Sequence, residues 1–138
     1  MLSLNTNKIV LDLGNTLLKV AVFQGDDIIS LKRYKHSELN KFFIDFSSIK
    51  PNKSILCSVA STSLTQEIAE FVQPNIYFDQ KTPVPIDLDN YKTKLTLGVD
   101  RIANMVYANH HSKNAALVVD CGSCVKFDLI EDNVYFGG

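Results

Sequence analysis

The sequence lacks an excess of charge of either sign. Its 14 Lys and Arg residues are balanced by 15 Asp and Glu residues, which leaves a formal net charge of −1. A nucleic-acid-binding domain normally carries a surplus of lysine and arginine. Long apolar runs are missing as well, and none approaches the roughly 20 residues that a membrane-spanning helix needs. We therefore expect no nucleic-acid partner and no membrane insertion.

Cysteine is also scarce. The three cysteines are Cys57, Cys121 and Cys124, and an odd number without a framework spacing does not suit a secreted, disulfide-stabilised domain. The first apolar stretch ends early, at Asp12, and the order of basic, apolar and small residues that marks a secretory signal is missing. We therefore expect a cytoplasmic protein with reduced thiols.

Hydrophobic periodicity in the first half of the chain predicts an α/β domain. Short apolar or alternating segments predict strands over residues 9–13, 17–23, 28–34, 54–60 and 76–78. Tight turns join the first three, which predicts an antiparallel meander. Between the later strands, apolar residues recur at helical spacing, and Ser37 and Ser63 are the predicted caps of these two helices.

The second half of the chain begins with a long connection. Residues 82–96 contain Pro83 and Pro85, and long ordered loops of this kind are often functional. A helix is predicted from about Asp100. An apolar strand over residues 115–120 and an alternating strand over 125–129 then repeat the opening pattern of the chain: apolar strand, acid, glycine turn, second strand.

The first segment that could carry chemistry is the turn after the first strand, in which Asp12, Leu13, Gly14, Asn15, Thr16, Leu17, Leu18 and Lys19 follow one another. A glycine turn lets backbone N–H groups approach a phosphate closely. Asp12 could hold Mg²⁺ through water. A plain β-hairpin explains the segment about as well, except that an acid within a Leu-rich strand is costly unless it is paired or liganded.

The second segment repeats this pattern at Asp120, Gly122 and Ser123. Two acid-glycine turns in one chain are more specific than one, and together they are similar to the paired phosphate-binding hairpins of the actin/hexokinase superfamily. Cys121 and Cys124 form a C-x-x-C pattern, but a thioredoxin-like site opens a helix. Alternating strand residues follow here instead, so we do not favour a redox site. A zinc site would need two further ligands at metal spacing, and His110 and His111 are not an obvious pair.

The third segment lies between these two turns and contains Tyr91 and the run Leu97, Gly98, Val99, Asp100 and Arg101. The positive end of the predicted helix favours an ionised carboxylate at Asp100, and such a group could accept a proton from a substrate hydroxyl. The planar fork of Arg101 could hold a phosphate or a carboxylate. A simple helix cap with a surface arginine is the alternative.

These three segments, in this order, resemble type III pantothenate kinase over nearly the whole chain. The resemblance rests on residues 12–19, on Tyr91 with residues 97–101, and on Asp120, Gly122, Ser123, Phe127 and Asp128, followed by the glycine pair at 137–138. It implies an RNase-H-like lobe with a mixed sheet and flanking helices. It also implies a homodimer that uses ATP and Mg²⁺, with K⁺ or NH₄⁺, to phosphorylate pantothenate in the first step of coenzyme A synthesis.

The resemblance also implies a role for each site residue. Asp100 would be the general base, and Tyr91, Gly98, Val99 and Arg101 would line the pantothenate site. Residues 12–19 and Ser123 would hold ATP, and Asp120 would be a ligand of the monovalent cation.

The sequence departs from the family at Lys94, Cys124 and Lys126, where the family usually has proline, small residues or threonine. It also stops at Gly138, where the family continues into a second lobe. We accordingly expect residues 1–114 to form a first lobe and residues 115–138 to begin a second one, and we expect the 138-residue chain to be inactive alone. A non-catalytic nucleotide- or pantothenate-binding regulator and another small-molecule kinase or phosphatase of the superfamily remain as alternatives.

Overall fold

The computed structural model describes residues 7–138, so the first six residues of the predicted cytoplasmic N-terminus lie outside the described part. The chain forms two compact units, of which the first ends at Phe78 and the second runs from Asp79 to Gly138. The predicted lobe boundary between residues 114 and 115 stays a prediction. No helix within residues 7–138 is long and apolar enough to cross a membrane.

The first unit contains a five-stranded mixed sheet. Its strands are β1 (Asn7–Leu13), β2 (Leu17–Gln24), β3 (Asp27–Lys35), β4 (Lys53–Ser58) and β5 (Ile76–Phe78). The spatial order is β3-β2-β1-β4-β5. β1, β2 and β3 form the predicted antiparallel meander, whereas β4 pairs in parallel with both β1 and β5. This arrangement confirms the predicted α/β class, in which helices flank a mixed sheet.

Two helices provide the crossovers of the parallel strands. α1 (Leu39–Ser47) precedes β4, and α2 (Thr62–Val72) joins β4 to β5. The core contains fully buried side chains from the sheet and the helices, among them Leu11, Leu13, Leu18, Leu56, Phe42 and Ile68. Burying such a side chain stabilises the fold by about 1.5–3 kcal/mol, so the apolar spacing of α1 and α2 determines which helix faces meet the sheet.

Both predicted helix caps are wrong. Ser37 lies inside a short 3₁₀ turn (His36–Glu38) that precedes α1, and Glu38 is the N-cap of that helix. Ser63 lies inside the first turn of α2, whose N-cap is Ser61. Neither N-cap side chain accepts a backbone hydrogen bond, so burial of the apolar helix faces outweighs capping in setting where these helices start.

The second unit contains one helix and a three-stranded antiparallel sheet. After the long connection and a 3₁₀ turn (Lys94–Thr96), α3 (Val99–His111) packs against β6 (Ala115–Cys121) and β7 (Val125–Glu131), and β8 (Val134–Gly137) completes the sheet. The buried apolar residues are Ile86, Leu97, Val99, Ile102, Met105, Ile130 and Tyr135. The connection is attached to the sheet edge through a parallel bridge between Asp87 and Val134.

The face of this sheet that points away from its core is apolar and exposed. Strand alternation places on it the side chains of Leu117, Val119, Val125, Phe127 and Leu129, which are 39–63% exposed. Leu117 lies directly opposite Leu129, and Val119 lies opposite Phe127. The second unit therefore buries one face of its sheet, the face that carries Lys126, Asp128 and Ile130.

Candidate active site

The first acid-glycine turn is the hairpin between β1 and β2. Asp12 and Lys19 lie directly opposite each other in the ladder, and the Nζ of Lys19 is 3.0 Å from Oδ2 of Asp12. The backbone N–H of Gly14 donates to the carbonyl oxygen of Leu17 at 2.9 Å, which closes the turn. The ring of His36 contacts the carbonyl oxygen of Gly14 at 3.0 Å. Hydrogen bonds thus fix the turn on both sides.

Burial divides the residues of this turn into two groups. Leu13 and Leu18 are core residues with no exposed surface, so only their backbone could contact a ligand. Asn15 and Thr16 are exposed at the tip. The ion pair of Lys19 with Asp12 is about half exposed, and surface pairs of this kind contribute only about 0–1 kcal/mol. The ammonium group of Lys19 is therefore free to exchange the carboxylate for a phosphate at little cost.

The second acid-glycine turn is the hairpin between β6 and β7. Here Asp120 lies directly opposite Lys126 in the ladder, and the N–H of Gly122 donates to the carbonyl oxygen of Cys124 at 3.2 Å. Ser123 is exposed at the tip. Cys121 and Cys124 are exposed free thiols, and a strand follows them rather than a helix. The opposition of an acid and a lysine thus repeats that of the first hairpin, although this turn is one residue shorter.

Lys126 connects this hairpin to the start of α3. Its Nζ donates to Oδ2 of Asp100 at 2.6 Å and lies 3.5 Å from Oδ2 of Asp120. The hydrogen bond to Asp100 raises the pKa of Lys126 above its usual range, burial opposes this increase, and the charges of Asp100 and Asp120 add to it. The ammonium group therefore stays charged between the two carboxylates.

Asp100 lies in the first turn of α3, after the N-cap Gly98. Its Oδ1 accepts a hydrogen bond from the backbone N–H of Arg101 at 2.9 Å, and its side chain is 20% exposed. The carboxylate is thus orientated through both oxygens while its surface remains accessible. An oxygen base held in this way is suited to accept the proton of a bound hydroxyl group.

Arg101 contacts the buried carboxylate of Asp128, a residue of the second phosphate motif for which the sequence predicts no role of its own. The guanidinium donates to Asp128 from Nε at 3.0 Å and from Nη2 at 2.5 Å, and the hydroxyl of Tyr135 donates to the same carboxylate at 2.6 Å. The side chain of Asp128 is only 1% exposed. The carboxylate raises the pKa of Arg101, while burial and the Asp128 hydrogen bond raise that of Tyr135.

A sequence signal for this cluster exists in β7. Strand alternation places Lys126, Asp128 and Ile130 on one face, and Ile130 is apolar. An acid on an inward-facing position is costly unless a cation or a hydrogen-bond donor accompanies it. This cost is higher at Asp128, whose side chain is 1% exposed, than at Asp12, whose side chain is 37% exposed.

Tyr91 is attached to the same cluster from the connection that precedes α3. Its ring centroid is 5.3 Å from that of Tyr135. Gly137 adopts a positive φ of 96°, and a Cβ at this position would lie 3.3 Å from the Tyr91 ring. A glycine is required here for both reasons. In contrast, the side chain of Val99 is in the core at 3% exposure, so only its backbone could contact a ligand.

Asp120 does not suit the free monovalent cation that the resemblance implies. Its Oδ2 already faces the ammonium group of Lys126, and two unit charges at about 4 Å repel by about 4 kcal/mol when the effective dielectric constant is about 20. Among residues 7–138, no group of three or more His, Cys, Asp or Glu residues is arranged to hold a metal ion. Mg²⁺ requires fewer protein ligands, since it usually combines one or two carboxylates with substrate phosphates and water. The partly exposed carboxylate of Asp12 suits that role.

A known protein family matches almost the whole of this chain. A family model described as type III pantothenate kinase matches residues 8–138. The curated type III pantothenate kinases of Azobacteroides pseudotrichonymphae and Christiangramia forsetii are 33% and 34% identical over 134 and 140 residues, and each alignment covers 94% of this chain. It covers only 54% and 55% of these relatives, so the chain spans about half their length.

A solved structure shows the same fold. It belongs to a Campylobacter jejuni protein described as a conserved Baf family transcriptional activator. The alignment has a TM-score of 0.53 at 19% identity and covers 94% of this chain and 51% of the other. At this identity the similarity concerns the fold alone.

Proposed function

This chain belongs to the type III pantothenate kinase family, and we propose that the whole protein transfers the terminal phosphoryl group of ATP to pantothenate, in the first step of coenzyme A synthesis. The observation that carries the proposal is the environment of Asp100. It is a partly exposed carboxylate in the first turn of α3, orientated by the N–H of Arg101 and the ammonium of Lys126. The kinase identity of the curated relatives does not favour a purely regulatory role.

Asp100 would act as the general base. Phosphoryl transfer depends mainly on positioning and on stabilising the charge of the transferring group. The pantothenate hydroxyl oxygen forms a bond to the γ-phosphorus, the bond from that phosphorus to the bridging oxygen of ATP breaks, and ADP leaves with its electrons. The hydroxyl proton passes to the carboxylate of Asp100. A base held in a fixed position can orient the hydroxyl group and take its proton late in the reaction.

Each hairpin, taken by itself, would offer hydrogen-bond donors to phosphate groups of the nucleotide. Residues 12–19 offer backbone N–H groups, the exposed Asn15 and Thr16, and the exchangeable cation of Lys19. Ser123 is exposed at the tip of the second hairpin, where it could donate to a phosphate oxygen. Mg²⁺ would be held by Asp12 together with the phosphates and would supply charge neutralisation there.

The cluster around Arg101 would bind pantothenate. Asp128 holds the guanidinium through Nε and Nη2, so its plane is fixed before a ligand arrives. The side chain of Arg101 is 18% exposed, and a fixed guanidinium can bind a carboxylate such as that of pantothenate. Tyr91 and the backbone of Gly98 and Val99 would form the adjacent wall.

The decisive experiment is a phosphorylation assay of the complete protein with pantothenate and ATP. Asp100→Asn should lower kcat by about 10²–10⁴, the usual contribution of a general base, while ATP still binds. Asp89→Asn is the matched control, because Asp89 is an exposed carboxylate that pairs with Lys94 outside the site. If the wild type phosphorylates other alcohols but not pantothenate, pantothenate is not its substrate. An Asp100→Asn variant with full activity would remove Asp100 from the base role.

Further properties of the whole protein follow from the family resemblance. We propose a cytoplasmic homodimer, with residues 1–114 in a first lobe and residues 115–138 beginning a second. Sedimentation velocity of the complete protein tests the assembly, and a concentration-independent monomer would contradict it. The resemblance also implies K⁺ or NH₄⁺ as a cofactor, although the contact between Asp120 and Lys126 does not favour a free cation at that carboxylate.

A further inference from the structure

Lys126 is a cation shared by two carboxylates from different elements. It lies on β7, directly opposite Asp120 on β6. Its Nζ is nonetheless closer to Asp100 in α3, at 2.6 Å, than to Asp120, at 3.5 Å. The side chain is only 28% exposed, which is less than a solvated surface lysine would be. The ammonium group thus bridges the hairpin and the first turn of the helix.

The first hairpin provides an internal comparison. Lys19 also lies directly opposite an acid, and its Nζ stays with that acid, Asp12, at 3.0 Å. Lys19 is 50% exposed. Register alone therefore explains a lysine paired with the acid opposite, but it does not explain why Lys126 turns towards α3. The carboxylate of Asp100 supplies that reason, because it gives the ammonium group a second charged acceptor, at 2.6 Å, in addition to Asp120.

The ammonium group of Lys126 changes the net charge of this group of side chains. Asp100 and Asp120 together carry two negative charges, and the ammonium of Lys126 reduces the total to one. Without this lysine, two partly buried carboxylates would need a mobile cation for the same balance. An ammonium group also offers three donors, so it can orientate both carboxylates, which a spherical ion does through charge alone.

We propose that the ammonium group of Lys126 replaces a free monovalent cation at Asp120, so that nucleotide binding by this protein does not depend on K⁺. This inference rests on the proposed function, because the family resemblance is what implies a cation there. The charge of Lys126, tethered to the chain, takes the place of a dissolved ion. Lys126 is thereby a positioning residue for Asp100 and Asp120.

The test compares K⁺ with choline at constant ionic strength in the complete protein. ATP affinity is measured by calorimetry with Mg²⁺ present, and cation binding is followed separately by the line width of ²⁰⁵Tl⁺, a K⁺ mimic, without nucleotide. For the wild type we expect an ATP Kd that differs by less than about twofold between the two salts, and no saturable Tl⁺ broadening. For Lys126→Thr we expect a K⁺-dependent Kd that changes by roughly tenfold, within the usual range of coupling between two sites, and saturable Tl⁺ binding.

Lys113→Thr is the matched control, because Lys113 is an exposed lysine after α3 and should behave as the wild type. Lys126→Arg keeps the positive charge and should also remain independent of K⁺. Saturable Tl⁺ binding to the wild type would overturn the proposal, and so would a folded Lys126→Thr variant that gains no cation dependence. If Lys126→Thr does not fold, the titrations of the wild type and of Lys126→Arg still show whether ATP binding depends on K⁺ and whether Tl⁺ binds.

These measurements separate the inference from the proposed function. Absence of pantothenate turnover in every salt, together with K⁺-independent ATP binding, would refute the function and leave the tethered cation standing. Turnover that requires K⁺ would confirm the function and refute the tethered cation.

Discussion

Replacement of Asp128 by alanine should cost the second unit a large share of its stability. The substitution removes a carboxylate that is 1% exposed and leaves the guanidinium of Arg101 and the hydroxyl of Tyr135 without this acceptor. Breaking a buried ion pair by removing one partner costs about 3–5 kcal/mol, since the remaining charge is uncompensated. Domains are stabilised by only about 5–15 kcal/mol in total, so the effect should be evident without amplification.

Urea unfolding followed by far-UV circular dichroism is the appropriate assay. With an m-value of about 2 kcal/mol/M, a loss of about 4 kcal/mol moves the midpoint down by about 2 M. Tyr135→Phe removes only one hydrogen bond to a charged group and should cost about 1.5–3 kcal/mol. Asp89→Ala, which breaks an exposed ion pair with Lys94, serves as the control and should leave the midpoint unchanged.

A double variant tests the physical reason. If the cost of Asp128→Ala comes from an unpaired buried charge, adding Arg101→Met removes that charge, and the double variant should be more stable than the sum of the single effects by about 0.5–3 kcal/mol. A free energy of unfolding for Asp128→Ala within about 1 kcal/mol of the wild type, or strictly additive single effects, would show that this ion pair does not organise the cluster.

Three other changes give independent tests. Gly137→Ala should lower the free energy of unfolding by about 1–3 kcal/mol, because φ is 96° and the added Cβ would lie 3.3 Å from the Tyr91 ring. Gly25→Ala should cost less, because Gly25 has a positive φ but open space around it. Equal urea midpoints for the two variants would contradict this expectation. Burial and a hydrogen bond raise the pKa of Tyr135 in the folded state, so its contribution is fully present below about pH 10, the unfolded value, and is lost as pH rises towards the folded value. Tyr135→Phe should therefore flatten the alkaline fall in stability, and an unchanged slope would count against the raised pKa. Lys19→Ala should weaken ATP binding in calorimetry while stability changes by less than about 1 kcal/mol; unaltered ATP affinity would exclude a phosphate contact.

The strands and hairpins could be predicted from sequence because their determinants are local. Alternation identified β2 and β7, and an acid followed by a glycine turn marked both hairpins. The register then follows from the turn, so the opposition of Asp12 to Lys19 was implicit in the sequence. Local signals failed at helix starts, where Ser37 and Ser63 lie inside helical turns, because burial of an apolar helix face outweighs a cap worth about 1 kcal/mol.

The contacts that organise the site could not be predicted in the same way. The pairs of Lys126 with Asp100 and of Arg101 with Asp128 join residues 26 and 27 positions apart. They depend on how α3 packs on the sheet, which no local pattern specifies. The motif resemblance placed Asp100 and Arg101 together in sequence without indicating that adjacent side chains bind different partners on β7.

That difference in partners follows from one geometric fact. Successive inward-facing positions of a strand are two residues apart, about 6.6–6.8 Å along its axis, so Lys126 and Asp128 present opposite charges on the same face of β7. Asp100 and Arg101, adjacent in the first turn of α3, present the complementary pair, and each acid meets a base. Exchange of the charge at either strand position would place like charges together. Lys126→Asp should therefore disturb Asp100 without releasing Arg101, and Asp128→Lys should do the reverse, so the two proposed roles, Asp100 as base and Arg101 as ligand clamp, should be separable by substitutions in the strand beneath the helix.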